Sequence, residues 1–232
     1  MTSPPSIIYE DRQILVIIKP AGWLSQPDGR DRPDVLQWAR GYLETTYNKP
    51  GRAWVGLCHR LDLAVRGIMV LAKTSKSASR ISKQFRERDV KKIYHALCVG
   101  SLKNETIKLS SKLTRVFNRT VEAEENGAAA ELIYKLISTG SIDGVRSSLL
   151  EIELLTGFKH QIRSQLSSIG HPIWGDVLYD GPKGPAGAQS IGLMAERIEF
   201  NHPISGERLS FSCRKDDAWP WNSLIENASD NL

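Results

Sequence analysis

"HRLDLAVRGIMVLAK", residues 59–73, sets one carboxylate, Asp62, between Arg60 and Arg66 at the mouth of a hydrophobic run. Residues 67–72 form a short, nearly continuous apolar stretch containing β-branched residues, the pattern of a strand buried on both faces. A charged acid at such a place requires a reason, because taking a carboxylate out of water is costly unless cations or hydrogen bonds hold it. The bland reading is a structural ion pair with a neighbouring arginine, and the sharp one is a reactive carboxylate kept ionised by its surroundings.

Working outward, "ILVIIK" (14–19) reads as a second buried strand, stopped by "PAG". "PDVLQWARGYLETTY" (33–47) carries Val35, Leu36, Ala39 and Leu43 at helical spacing behind Pro33. "SASRISKQFRERD" (77–89) gives a further helix, with Ala78, Ile81 and Phe85 on one face and basic residues on the other. "KKIYHALCVG" (91–100) alternates, so Tyr94, Ala96 and Cys98 share one strand face, and "RSSLLEIELLTG" (146–157) is another strand ended by Gly157. In "KHQIRSQLSSIG" (159–170) Ile162, Leu166 and Ile169 form a helical apolar stripe, which brings Lys159 and Arg163 together on its flank before Gly170 stops the helix. The stretches "TRVFNRTVEAEENGAAA" (114–130) and "GHPIWGD" to "GPKGPAGAQS" read as loops, "RIEFNHP" and "ERLSFSC" as strands, and the last ten residues as a fraying end. Strands and helices interleave without a regular strand-helix-strand rhythm, and short connections favour antiparallel pairing. The fold class is therefore α+β.

The 232 residues, 41% hydrophobic and 25% charged, can bury a substantial core in one domain or two closely joined lobes. Their net charge of +5 suits a polyanionic partner. Cys58, Cys98 and Cys213 are odd in number and lack metal-ligand spacing, which points to free thiols in a reducing compartment. There is no signal-like N-terminus and no apolar run able to span a bilayer, so a cytoplasmic protein is expected. Phosphate-loop and dinucleotide fingerprints are absent, as are G-x-S-x-G and H-E-x-x-H, and the five histidines are scattered. The remaining acids give no sequence reason to pair with Asp62. No metal and no nucleotide cofactor are expected.

In order and spacing, "HRLDLAVRGIMVLAK", "KKIYHALCVG" and "TGFKHQIRSQLSSIGHPIWGDVLY" resemble the motifs of the RluA-type pseudouridine synthases, and "YEDRQILVIIKPAGWLSQPDG" and "LMAERIEFNHPISGERLSF" resemble that family's opening and closing segments. The resemblance runs from about Ile8 to Ser212. It implies a mixed, mainly antiparallel sheet with flanking helices and loops around a central active-site cleft. It also implies a single catalytic domain in the short form, lacking the N-terminal S4-like RNA-binding module of some members. The implied activity is isomerisation of specific uridines in structured RNA, ribosomal or transfer, to pseudouridine, without metal or cofactor, by a protein expected to be monomeric.

By the same resemblance Asp62 is the catalytic carboxylate, acting by covalent attack or by assisting an elimination. Tyr94 is the active-site tyrosine, able to stack on the flipped base and reach the C5 proton. Arg163 is the arginine that pairs with the catalytic aspartate. Arg60 is placed to enter the RNA helix, and Lys159 and Lys19 are further RNA contacts. Three departures stand out: Val65-Arg66 replaces the usual Thr-Ser, Phe158-Lys159 replaces Arg-Thr or Arg-Ser, and Met194 stands where histidine is common. Arg66 can then supply an extra RNA contact. A non-catalytic RNA-binding or RNA-chaperone protein on the same scaffold is the alternative.

Overall fold

The computed structural model of the chain describes residues 3–48, 50–214 and 219–226. Its contacts divide into two units, one running through Lys91 and taking in Arg197–Cys213, the other comprising Lys92–Glu196 and residues from Arg214 onward.

In the first unit β1 (Ser6–Glu10) and β2 (Ile14–Lys19) form a hairpin whose turn is fixed by Asp11, whose carboxylate accepts from the N–H groups of Gln13 and Ile14. Helix α1 (Val35–Thr46) begins where the Asp34 side chain accepts from Gln37 N at 2.9 Å, and it buries Val35, Ala39 and Leu43, the stripe its spacing predicts. The two-residue strand β3 (Gly56–Leu57) and β2 both pair antiparallel with β4 (Arg66–Ala72), the latter from Ile14↔Ala72 to Lys19↔Gly67. Ile14–Ile17 and Ile68–Ala72 are buried throughout, as two-sided strands of continuous apolar sequence should be. Helix α2 (Ser75–Arg86), capped by Thr74, buries Ile81 and stacks Phe85 on His59 with ring centroids 4.8 Å apart.

The second unit is built on five antiparallel strands: β5 (Lys91–Val99), β6 (Thr106–Val116), β7 (Arg119–Glu122), β8 (Ala128–Ile142) and β9 (Val145–Leu154), in the spatial order β5-β9-β8-β6-β7. Helix α3 (Gln161–Ser168) and a 3-10 turn at Val177–Tyr179 follow. Strand β10 (Leu193–Asn201) carries the chain back into the first unit, where its residues from Arg197 pair with β11 (Arg208–Ser212). Strand β12 (Ile225–Glu226) pairs with Gly140 and Ser141 of β8. Leu97, Ile142, Leu149 and Trp174 form a buried cluster flanked by Val99, Trp219, Trp221 and Leu224.

The α+β class is as the sequence predicts, but four local expectations change. Residues 114–130 are the end of β6, all of β7 and the start of β8, a hairpin rather than a loop. Helix α3 starts at Gln161 after a left-handed His160 (φ 55°), so Lys159 lies ahead of the helix and shares no flank with Arg163, and Ile169 is exposed beyond its end. The glycine- and proline-rich stretch is only partly a surface loop, because Ile173, Trp174, Asp176 and Tyr179 are buried. At the C-terminus Ile225–Glu226 is strand, and the remaining residues expected to fray, 227–232, lie outside those described.

Candidate active site

Asp62 opens a tight turn, closed by Val65 N–H donating to the Asp62 carbonyl at 3.1 Å, immediately ahead of β4. The residues around it are clamped. Ser25 Oγ donates to Leu61 O at 2.8 Å and accepts from Leu61 N at 3.1 Å, so one hydroxyl satisfies both backbone groups of the residue before the acid. Leu63 O, on the other side, accepts from Gly22 N at 2.8 Å and from Lys19 Nζ at 3.3 Å. Gly22 (φ 83°) is required in the "PAG" turn, since that backbone conformation brings its N–H onto the loop where side-chain-bearing residues are disfavoured. Leu61 and Val65 are buried, whereas Asp62 is half-buried and Arg60 exposed. The side chains flanking the acid thus anchor the loop, and the carboxylate keeps partial access to solvent. Val65, one of the departures from the family pattern, points its apolar group inward.

Lys19 is not placed as a phosphate contact. It ends β2 with 0% exposure, and its ammonium donates to the carbonyls of Trp23 (2.7 Å), Pro20 (2.9 Å) and Leu63 (3.3 Å). A side chain so enclosed has no face to offer RNA, so its sequence-based reading as an RNA contact is corrected to that of a buried cation in the Asp62 loop. Burial pushes its pKa down to about 7, and the Asp62 charge works in the opposite direction. Coulombic coupling between the two groups follows.

In the second unit Tyr94 lies on β5 opposite Ile152 of β9, which in turn lies opposite Tyr134 of β8, so the three side chains share one face of the sheet. Tyr94 is half-buried, while Ile152 and Tyr134 form buried support. Arg163, the third residue of α3, is 7% exposed and makes a bidentate pair with Asp176, Nε to Oδ2 at 2.6 Å and Nη2 to Oδ1 at 2.7 Å. Its guanidinium also lies 4.9 Å from the centroid of the Tyr179 ring. Fork-to-fork geometry of this kind fixes a guanidinium plane more firmly than a single contact.

Around that pair runs a polar network no periodicity could reveal. Thr120 N donates to Tyr179 Oη at 2.6 Å, and the same hydroxyl lies 3.0 Å from His160 Nδ1. Gln161 uses its whole amide: Oε1 accepts from Thr156 Oγ1 (2.8 Å) and Phe158 N (3.1 Å), and Nε2 donates to Glu131 O and Gln165 Oε1, both at 3.0 Å. Asp176, Tyr179 and Gln161 are the residues sequence reasoning passed over. The signal for Asp176 was present in "GDVLY", a buried-looking acid whose partner lies 13 residues away in sequence.

Of the expected RNA contacts, Arg60 and Lys159 are exposed and Arg66 is half-buried. Among the described residues no group of three or more His, Cys, Asp or Glu side chains is arranged to hold a metal ion, and no helix is long and apolar enough to cross a membrane.

A family model described as RNA pseudouridylate synthase matches residues 13–168. The dual-specificity RNA pseudouridine synthase RluA of Yersinia pestis is 32% identical over 216 residues, which cover 90% of this chain and 98% of that protein. The tRNA pseudouridine synthase C of Pectobacterium carotovorum subsp. carotovorum is 29% identical over 235 residues, covering 94% of this chain and 61% of that protein's length. The solved structure of human RNA pseudouridylate synthase domain containing 1 matches with a TM-score of 0.74 at 23% identity, covering 96% of this chain and 89% of that one, a likeness of fold.

Proposed function

Since the chain belongs to the RNA pseudouridylate synthase family and is an RNA pseudouridine synthase, we propose that Asp62 is the carboxylate through which it isomerises uridine. The observation that supports this reading most is the clamped turn: Leu61 and Leu63 are tied by Ser25, Gly22 and Lys19, while Asp62 between them is left half-buried.

The reaction detaches uracil from the sugar at N1, turns it, and rejoins it through C5, whose proton is then lost. A carboxylate serves this sequence either by attacking the substrate covalently or by assisting an elimination, and both roles require it anionic and fixed in place. A stacked uridine is out of reach, so the target is flipped at a cost of a few kcal/mol that protein contacts offset. Tyr94 is assigned the stacking of the flipped base and the approach to its C5 proton. Arg163, held in one plane by Asp176, is assigned the fixed positive charge of the site. Arg60, on the Asp62 loop, enters the space left by the target, with Arg66 and Lys159 as backbone contacts.

Transfer RNA is the substrate class printed in the names of relatives such as the tRNA pseudouridine synthase C of Pectobacterium carotovorum subsp. carotovorum, and ribosomal RNA is the other class that the resemblance of the motifs implies. The protein acts in the cytoplasm as a monomer, the whole chain serving as one catalytic domain without metal or cofactor. The test is a pseudouridine map of total RNA with and without this protein: loss of at least one modified uridine in the deletion strain is expected. An unchanged map, with RNA binding retained, would favour the non-catalytic alternative.

A further inference from the structure

Strands β6 and β7 meet in the two-residue turn Phe117-Asn118, closed by the pair Val116↔Arg119. Phe117 adopts a left-handed backbone (φ 52°) and is 95% exposed. Both features run against its chemistry, because that conformation favours glycine or asparagine and an aromatic ring gains nothing from water. One exposed hydrophobe is unremarkable by itself, but here two further observations accompany it. Residues 112–121 contain Lys112, Arg115 and Arg119 and no acid, and Arg115, two residues before Phe117 in sequence, is exposed. The hairpin is also firmly seated. Thr120, 1% exposed, has every polar group engaged: its N–H with Tyr179 Oη (2.6 Å), its hydroxyl with Lys159 O (2.7 Å), and its carbonyl with Ser164 Oγ (2.9 Å). Arg119 lies over the Tyr179 ring at 5.2 Å and reaches Asp180 at 3.2 Å. The tip is therefore registered to the segment that carries Lys159 and Arg163, rather than waving free.

We propose that this tip is an RNA contact, in which the Phe117 ring stacks on an unpaired base of the bound RNA and Arg115 meets an adjacent phosphate. The inference rests on the RNA-modifying reading above and adds to it an aromatic platform outside the motifs of that reaction. A protein partner fits less well, since one ring and the half-exposed Val116 fall far short of the roughly 800 Å² per partner of a specific protein interface. Base stacking on an aromatic needs only the ring, tolerates any sequence, and is commonly combined with cations along the backbone.

Filter binding of unfractionated tRNA and of ribosomal RNA, across a salt series, separates these possibilities. Phe117→Ala and Phe117→Leu are expected to weaken binding by about 5- to 150-fold without changing the slope of log affinity against log salt. Phe117→Trp is expected to retain binding, and Arg115→Gln to reduce the salt slope by about one. Equal binding by Phe117→Ala and wild type overturns the inference, as does equal binding by Phe117→Leu, which would mean apolar contact rather than stacking. Concentration-dependent self-association that Phe117→Ala abolishes would assign the tip to protein contact and overturn it too. Wild-type protein that binds neither RNA sinks this inference together with the functional reading, whereas tight binding without isomerisation sinks only the latter.

Discussion

At Asp62, the proposed catalytic carboxylate, the loop is held by hydrogen bonds to the backbones of its neighbours Leu61 and Leu63. Lys19 contributes a buried ammonium to the same loop, and this gives the protein a pH signature. Its pKa is about 7 in the folded chain against an ordinary 10.5. Between those values the unfolded chain binds a proton that the folded chain lacks, so Lys19 makes stability rise with pH from about 7 toward 10.5; below 7 the lysine is charged in both states and contributes no slope. Urea midpoints measured from pH 6 to 9 should show that rise, and Lys19→Met should flatten it; an undiminished slope in the variant would assign the titration elsewhere. Arg163 makes a second residue-scale prediction. Asp176→Asn leaves a buried guanidinium without its carboxylate, so unfolding free energy should drop by about 3–5 kcal/mol, with reduced isomerisation. A loss below 1 kcal/mol would mean that other partners suffice to hold Arg163.

Among the elements, those with short-range periodicity were legible in the sequence: β2 and β4 as continuous apolar runs, α1 by its Val35-Ala39-Leu43 stripe. Helix α3 was legible only in part. Ile162 and Leu166 are buried as their spacing requires, but so are Gln161, Arg163, Ser164 and Gln165, because their partners come from Thr120, Ala130, Glu131 and Asp176 in distant strands and turns. A polar residue next to such partners is indistinguishable, in one dimension, from one facing water. The β6–β7 hairpin was missed for a related reason: its turn is Phe-Asn rather than Asn-Gly, and its outer strand is only Arg119–Glu122. The turn carrying Asp176 makes its own prediction. A Cβ on Gly181 would stand 2.0 Å from Ile173 O and 3.1 Å from Asp176 O, both backbone atoms that cannot swing aside. Gly181→Ala should therefore displace Asp176 and lower the melting temperature by several degrees, on the order of 1–3 kcal/mol of lost stability. An unaltered melting temperature would show that the turn can yield.

For the whole molecule, the α+β class followed from the irregular interleaving of strands and helices and the family from three ordered motifs, whereas the division into two units by contact did not, since the second unit is completed by residues from Arg214 onward and the first by Arg197–Cys213. Buried chemistry at this scale is also measurable. Burial pushes the Cys58 and Cys98 thiols up to about 12, so at pH 8 native protein should react with iodoacetamide at these positions far more slowly than urea-unfolded protein. Comparable rates in the two states would contradict their packing. The account as a whole turns on Asp62, the acid in the turn ahead of β4. Tritium release from C5-labelled uridine RNA by Asp62→Asn, compared with wild type at equal folded concentration, tests it most directly. Complete loss of release with cooperative unfolding retained is the predicted result, and release at the wild-type rate would contradict the assignment.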